Sequence, residues 1–147
     1  ILQQLKAVFQ TDDPVFIYPA SGTGAWECAL LNALSPGDRV LVFETGHFAT
    51  LWKNVAQKLG LDIDWVSGDW RHGIDPEQVE DRLRADRGQR IRAVLVTHTE
   101  TSTGITSRIP LIRAAMEGGP SAAEWGRLWR RIWRGGCGAW GGSTWRC

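Results

Sequence analysis

The sequence predicts an α/β domain in which helices cover both faces of a largely parallel sheet. Short apolar runs alternate with helical segments from the first residue to about residue 115. The chain of 147 residues is 43% hydrophobic and 22% charged, which is ordinary for a globular protein with one core. Both observations favour a single α/β domain, followed by a segment of different composition.

Five segments are predicted as helices, and local signals mark several of their ends. The first ends before Pro14, since proline lacks a backbone N–H and biases the preceding residue away from the helical region. The third ends at Gly60, a typical C-terminal residue. The fourth begins at Pro76, behind the capping side chain of Asp75. The predicted helices are residues 1–9, 25–34, 47–59, 76–85 and 111–117.

Four short runs are predicted as strands, at residues 15–18, 39–43, 62–66 and 91–97. The run DIDWV alternates as a half-buried strand does, and IRAVLVT has the strongest strand pattern in the chain. Two polar segments, GDWRHG at residues 68–73 and THTETSTG at residues 97–104, are predicted as loops.

Three loops follow predicted strands and are therefore expected at the carboxyl edge of the sheet, where open parallel sheets bind ligands. In residues 21–24, glycines let the backbone approach a ligand, and a helix N-terminus favours an anion. Ser21 and Thr23 add hydroxyl donors. An ordinary helix cap explains these residues equally well. No Gly-Lys-Ser/Thr follows these residues, and Glu27 breaks the G-x-G-x-x-G pattern. A nucleotide is therefore the less favoured of the possible phosphate ligands.

Of the other two loops, residues 44–48 add the aromatic ring of Phe48 to this edge, and residues 97–104 add five hydroxyl groups. Phe48 is either a stacking platform or a core residue. The hydroxyl groups either contact a ligand or cap their own loop. A catalytic pair of His72 with Asp75 is conceivable, but a polar surface loop is the favoured interpretation. Three such loops at one edge favour one shared site.

Three segments together resemble the class V aminotransferases: residues 18–52, 68–76 and 97–109. Within that class they resemble the serine–glyoxylate and alanine–glyoxylate aminotransferases, and the match keeps its order from about Leu5 to Ile112. The resemblance implies a homodimer and the fold type I large domain of enzymes that depend on pyridoxal 5′-phosphate (PLP). It also implies transfer of an amino group from serine or alanine to glyoxylate.

The same resemblance implies roles for five residues. Ser21, Gly22 and Thr23 would hold the phosphate of the cofactor. Phe48 would lie against the pyridine ring, and Thr101 would supply a hydroxyl group that bonds to the cofactor.

Two residues that the family's reaction requires have no counterpart at the matching positions of this sequence. In the family, the lysine that forms the Schiff base and the aspartate that pairs with the pyridine nitrogen both follow the Thr-rich loop. The lysines here are Lys6, Lys53 and Lys58, and no aspartate follows Asp86. We therefore assign no catalytic residue and expect the chain as written to be inactive. The alternative function is a nucleotide- or sugar-phosphate-binding α/β domain without transaminase activity.

Residues 118–147 differ in composition from the rest, with 8 of the 17 glycines and 5 of the 9 tryptophans. Here 5 arginines accompany one glutamate, whereas residues 1–117 hold 12 basic and 15 acidic residues. We expect residues 1–117 to be the N-terminal part of the PLP-binding domain. The remainder is expected to be an irregular tail, either a frameshift product or disordered. A basic aromatic segment that binds nucleic acid or an anionic membrane is the less favoured alternative.

The cysteines, Cys28, Cys137 and Cys147, have neither disulfide nor zinc spacing, and no apolar run is long enough to span a membrane. We expect a cytoplasmic protein without a metal. Its expected partners are small amino acids and 2-oxo acids, not nucleic acid or a membrane.

Overall fold

The computed structural model describes residues 1–117, and a three-stranded parallel sheet lies at their centre. The strands are β1 (Arg39–Phe43), β2 (Asp62–Val66) and β3 (Ile91–Leu95), in the spatial order β2-β1-β3. Val40 of the middle strand pairs with Ile63 on one side and with Ala93 on the other. The predicted parallel sheet is confirmed, although its last strand is shorter than the sequence pattern indicated.

The described part of the chain contains five helices, one for each predicted segment. They are α1 (Leu2–Phe9), α2 (Gly22–Ala33), α3 (His47–Lys58), α4 (Pro76–Ala85) and α5 (Ile109–Glu117). Helix α2 begins earlier than predicted, because Ser21 takes the extended conformation of an N-cap residue. Helix α5 also begins earlier, since Pro110 lies in the first turn, where a backbone N–H has no intrahelical acceptor.

The side chains of β1 alternate between two cores, one on each face of the sheet. Val40 and Val42 are buried in a core that includes residues of α2 and α3. Leu41 and Phe43 are buried in a second core with α4 and α5, whose members include Val79, Leu83, Ile112 and Met116. Each fully buried aliphatic side chain contributes about 1.5–3 kcal/mol relative to leaving it exposed. The predicted cover of both sheet faces is therefore confirmed, and the two cores fix four helices against the sheet.

The predicted strand at residues 15–18 is wrong. This segment pairs with no strand among the described residues, and Phe16, Ile17 and Tyr18 are 64% to 77% exposed. A strand needs a neighbour that accepts its hydrogen bonds, and a four-residue apolar run carries no information about that neighbour. Helix α1 is confirmed as a helix, but none of its residues is buried within the described chain.

The Thr-rich segment contains a hairpin and is not only a loop. Strand β4 (Thr99–Glu100) pairs antiparallel with β5 (Ile105–Thr106). The turn ends at Gly104, whose φ of 75° favours glycine. The amides of Thr103 and Gly104 both donate to the carbonyl oxygen of Glu100, which closes the turn. This β4–β5 hairpin follows β3 and therefore lies at the carboxyl edge of the parallel sheet.

Within residues 1–117, no helix is long and apolar enough to span a bilayer. The same residues contain no group of three or more His, Cys, Asp or Glu side chains that could hold a metal ion. The predicted division after residue 117 and the character of the tail concern residues 118–147, which lie outside the described residues.

Candidate cofactor site

Helix α2 begins with a turn whose hydrogen-bonding groups are open. Ser21 is its N-cap residue, with φ −84° and ψ 174°, but the Ser21 side chain makes no capping hydrogen bond. The first amides of a helix have no intrahelical acceptor, and Ser21, Gly22 and Thr23 are all exposed. A Cβ atom placed on Gly22 would have no neighbour within 4 Å. The turn can therefore receive a phosphate on its amides and hydroxyl groups.

An aromatic cluster joins this turn to helix α3. Trp26, one turn into α2, stacks on Trp52 of α3 with ring centroids 5.3 Å apart and an interplanar angle of 17°. Phe48, in the first turn of α3, meets Trp26 edge to face at 6.3 Å and 72°. Phe48 is half-buried, so the ring both packs against α2 and keeps an accessible part. The two alternatives for Phe48, core residue and stacking platform, are thus compatible.

A buried carboxylate connects the β4–β5 hairpin to the first turn of α3. Glu100 is completely buried, and its two carboxylate oxygens accept the amides of Phe48 at 3.2 Å and Ala49 at 3.1 Å. Ser102 donates to the same carboxylate from its hydroxyl group at 2.7 Å and from its amide at 3.2 Å. Burial raises the pKa of Glu100, but the hydrogen bonds from Ser102, Ala49 and Phe48 lower it, and the net pKa lies below the ordinary glutamate value.

The hairpin and the loop after β1 touch at further points. The hydroxyl oxygen of Ser102 accepts the amide of His47 at 3.0 Å, and the hydroxyl group of Thr103 donates to the carbonyl oxygen of Thr45 at 3.4 Å. A Cβ atom on Gly46 would lie 2.6 Å from Cγ of Glu100, closer than packed atoms approach. The second and third predicted loops therefore form one unit, with Thr101 exposed beside it.

Sequence reasoning did not identify Glu100. The residue stands in a run of hydroxyl residues that is typical of a solvated loop, and no apolar neighbour marks it as buried. The usable signal is the position of the carboxylate across the sheet edge from a helix N-terminus, where a negative charge is favourable. That juxtaposition exists only in the folded chain.

The GDWRHG loop is held at the same edge by Glu44. The Glu44 carboxylate accepts the indole N–H of Trp70 at 2.9 Å and the amide of Gly68 at 3.3 Å. Residues 68–72 are exposed, as the favoured interpretation of a surface loop expects, and His72 Nδ1 lies 2.8 Å from a carboxylate oxygen of Asp69 rather than beside Asp75. Asp75 instead caps α4 through the amide of Glu77.

The three lysines of the chain lie on α1 and α3. Lys6 donates to the carbonyl oxygen of Asp12 at 2.8 Å, and the Lys53 ammonium lies 4.3 Å from the centroid of the Trp65 ring. Lys58 is at the opposite end of α3 from Phe48. Lys6 and Lys53 therefore have partners other than the turn at the start of α2.

Two buried hydroxyl groups at the carboxyl edge have no hydrogen-bond partner among the described residues. They belong to Thr45, which follows β1, and Thr97, which follows β3. A buried hydroxyl group without a partner costs about 1–3 kcal/mol. The carboxyl edge of the described sheet therefore has unused hydrogen-bonding capacity at Thr45 and Thr97.

Comparison with known proteins places the chain in a family. Residues 2–119 match the family described as aminotransferase class-V. The serine–glyoxylate aminotransferase of Methylorubrum extorquens is 46% identical over 118 residues, which cover 80% of this chain and 29% of that protein. The L-aspartate–glyoxylate aminotransferase of Paracoccus denitrificans is 43% identical over 117 residues, which cover 79% of this chain and 30% of that protein.

Solved structures give the same result for the fold. An aspartate aminotransferase of subgroup IV from Thermus thermophilus has a TM-score of 0.67 at 29% identity, over 82% of this chain and 32% of that one. An alanine–glyoxylate aminotransferase from Nostoc sp. has a TM-score of 0.62 at 28% identity, over 89% of this chain and 31% of that one. The chain thus spans less than a third of the length of these relatives.

These matches define the chain as an α/β protein of PLP-dependent fold type I. The protein belongs to the class V aminotransferase family, whose members are PLP-dependent enzymes. The family resemblance read from the three sequence segments is confirmed. The residues at the start of α2 fit such a cofactor, because open amides and hydroxyl groups for a phosphate lie one helical turn from the Trp26–Phe48 aromatic contact.

Proposed function

We propose that residues 1–117 are the N-terminal part of the PLP-binding large domain of a glyoxylate aminotransferase. The whole protein would transfer an amino group from serine or alanine to glyoxylate. One observation carries the site: the uncapped first turn of α2 adjoins a half-exposed aromatic ring. The names of three relatives support glyoxylate as the acceptor, and two of them support serine or alanine as the donor, whereas the third names L-aspartate.

Each proposed cofactor residue has one task. Ser21, Gly22 and Thr23 bind the phosphate through amides and hydroxyl groups, with the helix dipole favouring the negative charge. Phe48 covers one face of the cofactor ring and excludes water from it. The exposed hydroxyl group of Thr101 donates a hydrogen bond to the ring substituents. When bound, PLP supplies the electron sink for transamination.

We assign no catalytic residue to the chain. Transamination needs a lysine close to the cofactor ring. Lys6 contacts the carbonyl oxygen of Asp12, Lys53 contacts the ring of Trp65, and Lys58 lies at the C-terminal end of α3. We therefore propose that this chain binds the cofactor without turnover.

For the whole protein we propose a cytoplasmic homodimer with small amino acid and 2-oxo acid substrates. For residues 118–147 we keep the frameshift hypothesis, which translation of the other two reading frames would test.

The phosphate cradle can be tested with a ligand that cannot react with lysines. Pyridoxine 5′-phosphate has no aldehyde, so tryptophan quenching by it reports non-covalent binding alone. The full chain should be quenched by pyridoxine 5′-phosphate and much less by pyridoxine, since the phosphate supplies the recognised charge. Quenching that pyridoxine produces equally well would overturn the proposal. Tighter binding of a sugar phosphate or a nucleoside monophosphate would favour the alternative function instead.

Ser21 offers a matched pair of variants for the same titration. Ser21→Asp keeps a good N-cap residue but puts a negative charge where the phosphate would bind. We expect affinity for pyridoxine 5′-phosphate to fall at least about tenfold, because the two anions repel each other. Ser21→Asn, a neutral cap of the same shape as aspartate, should bind clearly more tightly than Ser21→Asp, because it adds size without charge. Equal binding by the two variants would contradict a phosphate at this turn.

A further inference from the structure

Glu100 is a buried carboxylate that no cation neutralises within the described chain. It forms no ion pair there, and its side chain is completely buried. Burying an unpaired charge is costly unless hydrogen bonds and dipoles replace its hydration. Four hydrogen bonds and the N-terminus of α3 do so here. A charged side chain that is buried against this desolvation cost is expected to hold neighbouring segments in one defined arrangement.

The contacts of Glu100 lie between two proposed cofactor residues. One carboxylate oxygen accepts the amide of Phe48, whose ring is proposed to cover the cofactor. Thr101, whose hydroxyl group is proposed to bond to the cofactor, lies between Glu100 and Ser102, and both of these residues contact the first turn of α3. The backbone at Phe48 and the backbone on both sides of Thr101 are therefore linked through this carboxylate and Ser102.

We propose that Glu100 is a positioning residue that locks the Phe48 ring and the Thr101 hydroxyl group into one arrangement. The inference rests on the proposed function for its ligand, but not for the contacts of Glu100 itself. A glutamine cannot take over the role. Phe48 donates to Oε1 and Ala49 donates to Oε2, so both oxygens act as acceptors, whereas the amide nitrogen of glutamine is a donor.

The direct test compares Glu100→Gln with Glu77→Gln in the full chain. Glu77 is an exposed glutamate in the first turn of α4, so it controls for losing a charge at a helix N-terminus. In Glu100→Gln, the amides of Phe48 and Ala49 should exchange hydrogen at least about tenfold faster, relative to the amides of β1 in the same sample. In Glu77→Gln this ratio should not change. General destabilisation would accelerate both sets of amides and leave the ratio constant.

Ligand affinity provides the second measurement. Glu100→Gln should bind pyridoxine 5′-phosphate at least about tenfold more weakly than Glu77→Gln, as expected for loss of charge-assisted hydrogen bonds. An unchanged exchange ratio, or equal affinities in the two variants, would overturn the inference. If the wild type itself does not bind the ligand, the proposed function fails, and the exchange ratio alone decides the role of Glu100.

Ser102→Ala keeps the test decisive if Glu100→Gln does not fold. This variant retains the carboxylate but removes the hydroxyl group that donates to Glu100 and accepts the amide of His47. We expect faster exchange at His47 and an affinity several-fold weaker than that of Glu77→Gln. Unchanged exchange and unchanged affinity in Ser102→Ala would also overturn the inference.

Discussion

Gly46 shows how a single residue determines the geometry of the candidate site. It is the N-cap residue of α3. A Cβ atom at this position would lie 2.6 Å from Cγ and 2.7 Å from Cδ of Glu100. The Glu100 side chain cannot move aside without giving up its hydrogen bonds to Phe48 and Ala49. The absence of a side chain at residue 46 is therefore what lets the hairpin reach the helix.

We predict that Gly46→Ala lowers the free energy of unfolding by about 1–3 kcal/mol, because the added methyl group overpacks the contact with Glu100. Gly22→Ala is the matched control. Its Cβ atom would meet nothing within 4 Å in the first turn of α2, so the change should be neutral or slightly stabilising. Urea unfolding of both variants measures the difference. Equal stabilities would mean that the Glu100 contact with α3 is looser than described.

Helices α2 and α4 differ in how their N-termini are satisfied, although the sequence places a good capping residue before each. Asp75 accepts the amide of Glu77 at 3.0 Å and so caps α4. The hydroxyl group of Ser21 caps nothing in α2. One helix thus uses its cap for stability, while the other leaves its first turn available to a ligand.

This difference predicts unequal costs for the same kind of substitution. Asp75→Ala should destabilise the chain by about 1 kcal/mol, the usual cost of losing an N-cap hydrogen bond. Ser21→Ala removes no such bond in the described structure and should cost close to nothing. Thermal or urea unfolding without ligand distinguishes the two. A loss at Ser21 as large as that at Asp75 would indicate a capped α2 and count against an open cradle.

Most helices and strands could be predicted from the sequence, because their signals are local. Asp75 before Pro76, the apolar run of β1 and the alternation of β2 act within a few residues. The strand expected at residues 15–18 fails for the opposite reason, since strand formation depends on a distant partner. The hairpin within the Thr-rich segment was missed because its two-residue strands are too short to show a period.

The candidate site could be predicted only in part. Ser21, Gly22 and Thr23 follow from helix-terminus chemistry, and the structure leaves them open as that chemistry requires. Their roles, and those of Phe48 and Thr101, come from the family resemblance and stay predictions. Glu100 could not be predicted, because its burial results from contacts with residues about fifty positions away.

At the scale of the whole molecule, the two edges of the sheet offer an anion different environments. The amino edge has an open cleft of about 330 Å³, lined by Gly37, Asp38, Arg39, Asp62, Arg90 and Arg92. Arg39 is already paired with Asp62 at 2.7 Å, and the cleft has no aromatic side chain in its lining. The carboxyl edge adjoins the open turn of α2 and the aromatic contact of Phe48. Charge alone favours the amino edge, whereas a phosphate attached to an aromatic ring suits the site at α2.

Hydrogen exchange of the full chain with and without pyridoxine 5′-phosphate tests this placement most directly. We predict slower exchange at residues 22–24 and 47–49 when the ligand is present, with no change at residues 37–39 and 90–92. In the proposed arrangement the ligand would cover the first turn of α2 and would stiffen the first turn of α3, which contains Phe48. Protection confined to residues 37–39 and 90–92, or no protection at residues 22–24, would contradict a cofactor cradle at the start of α2.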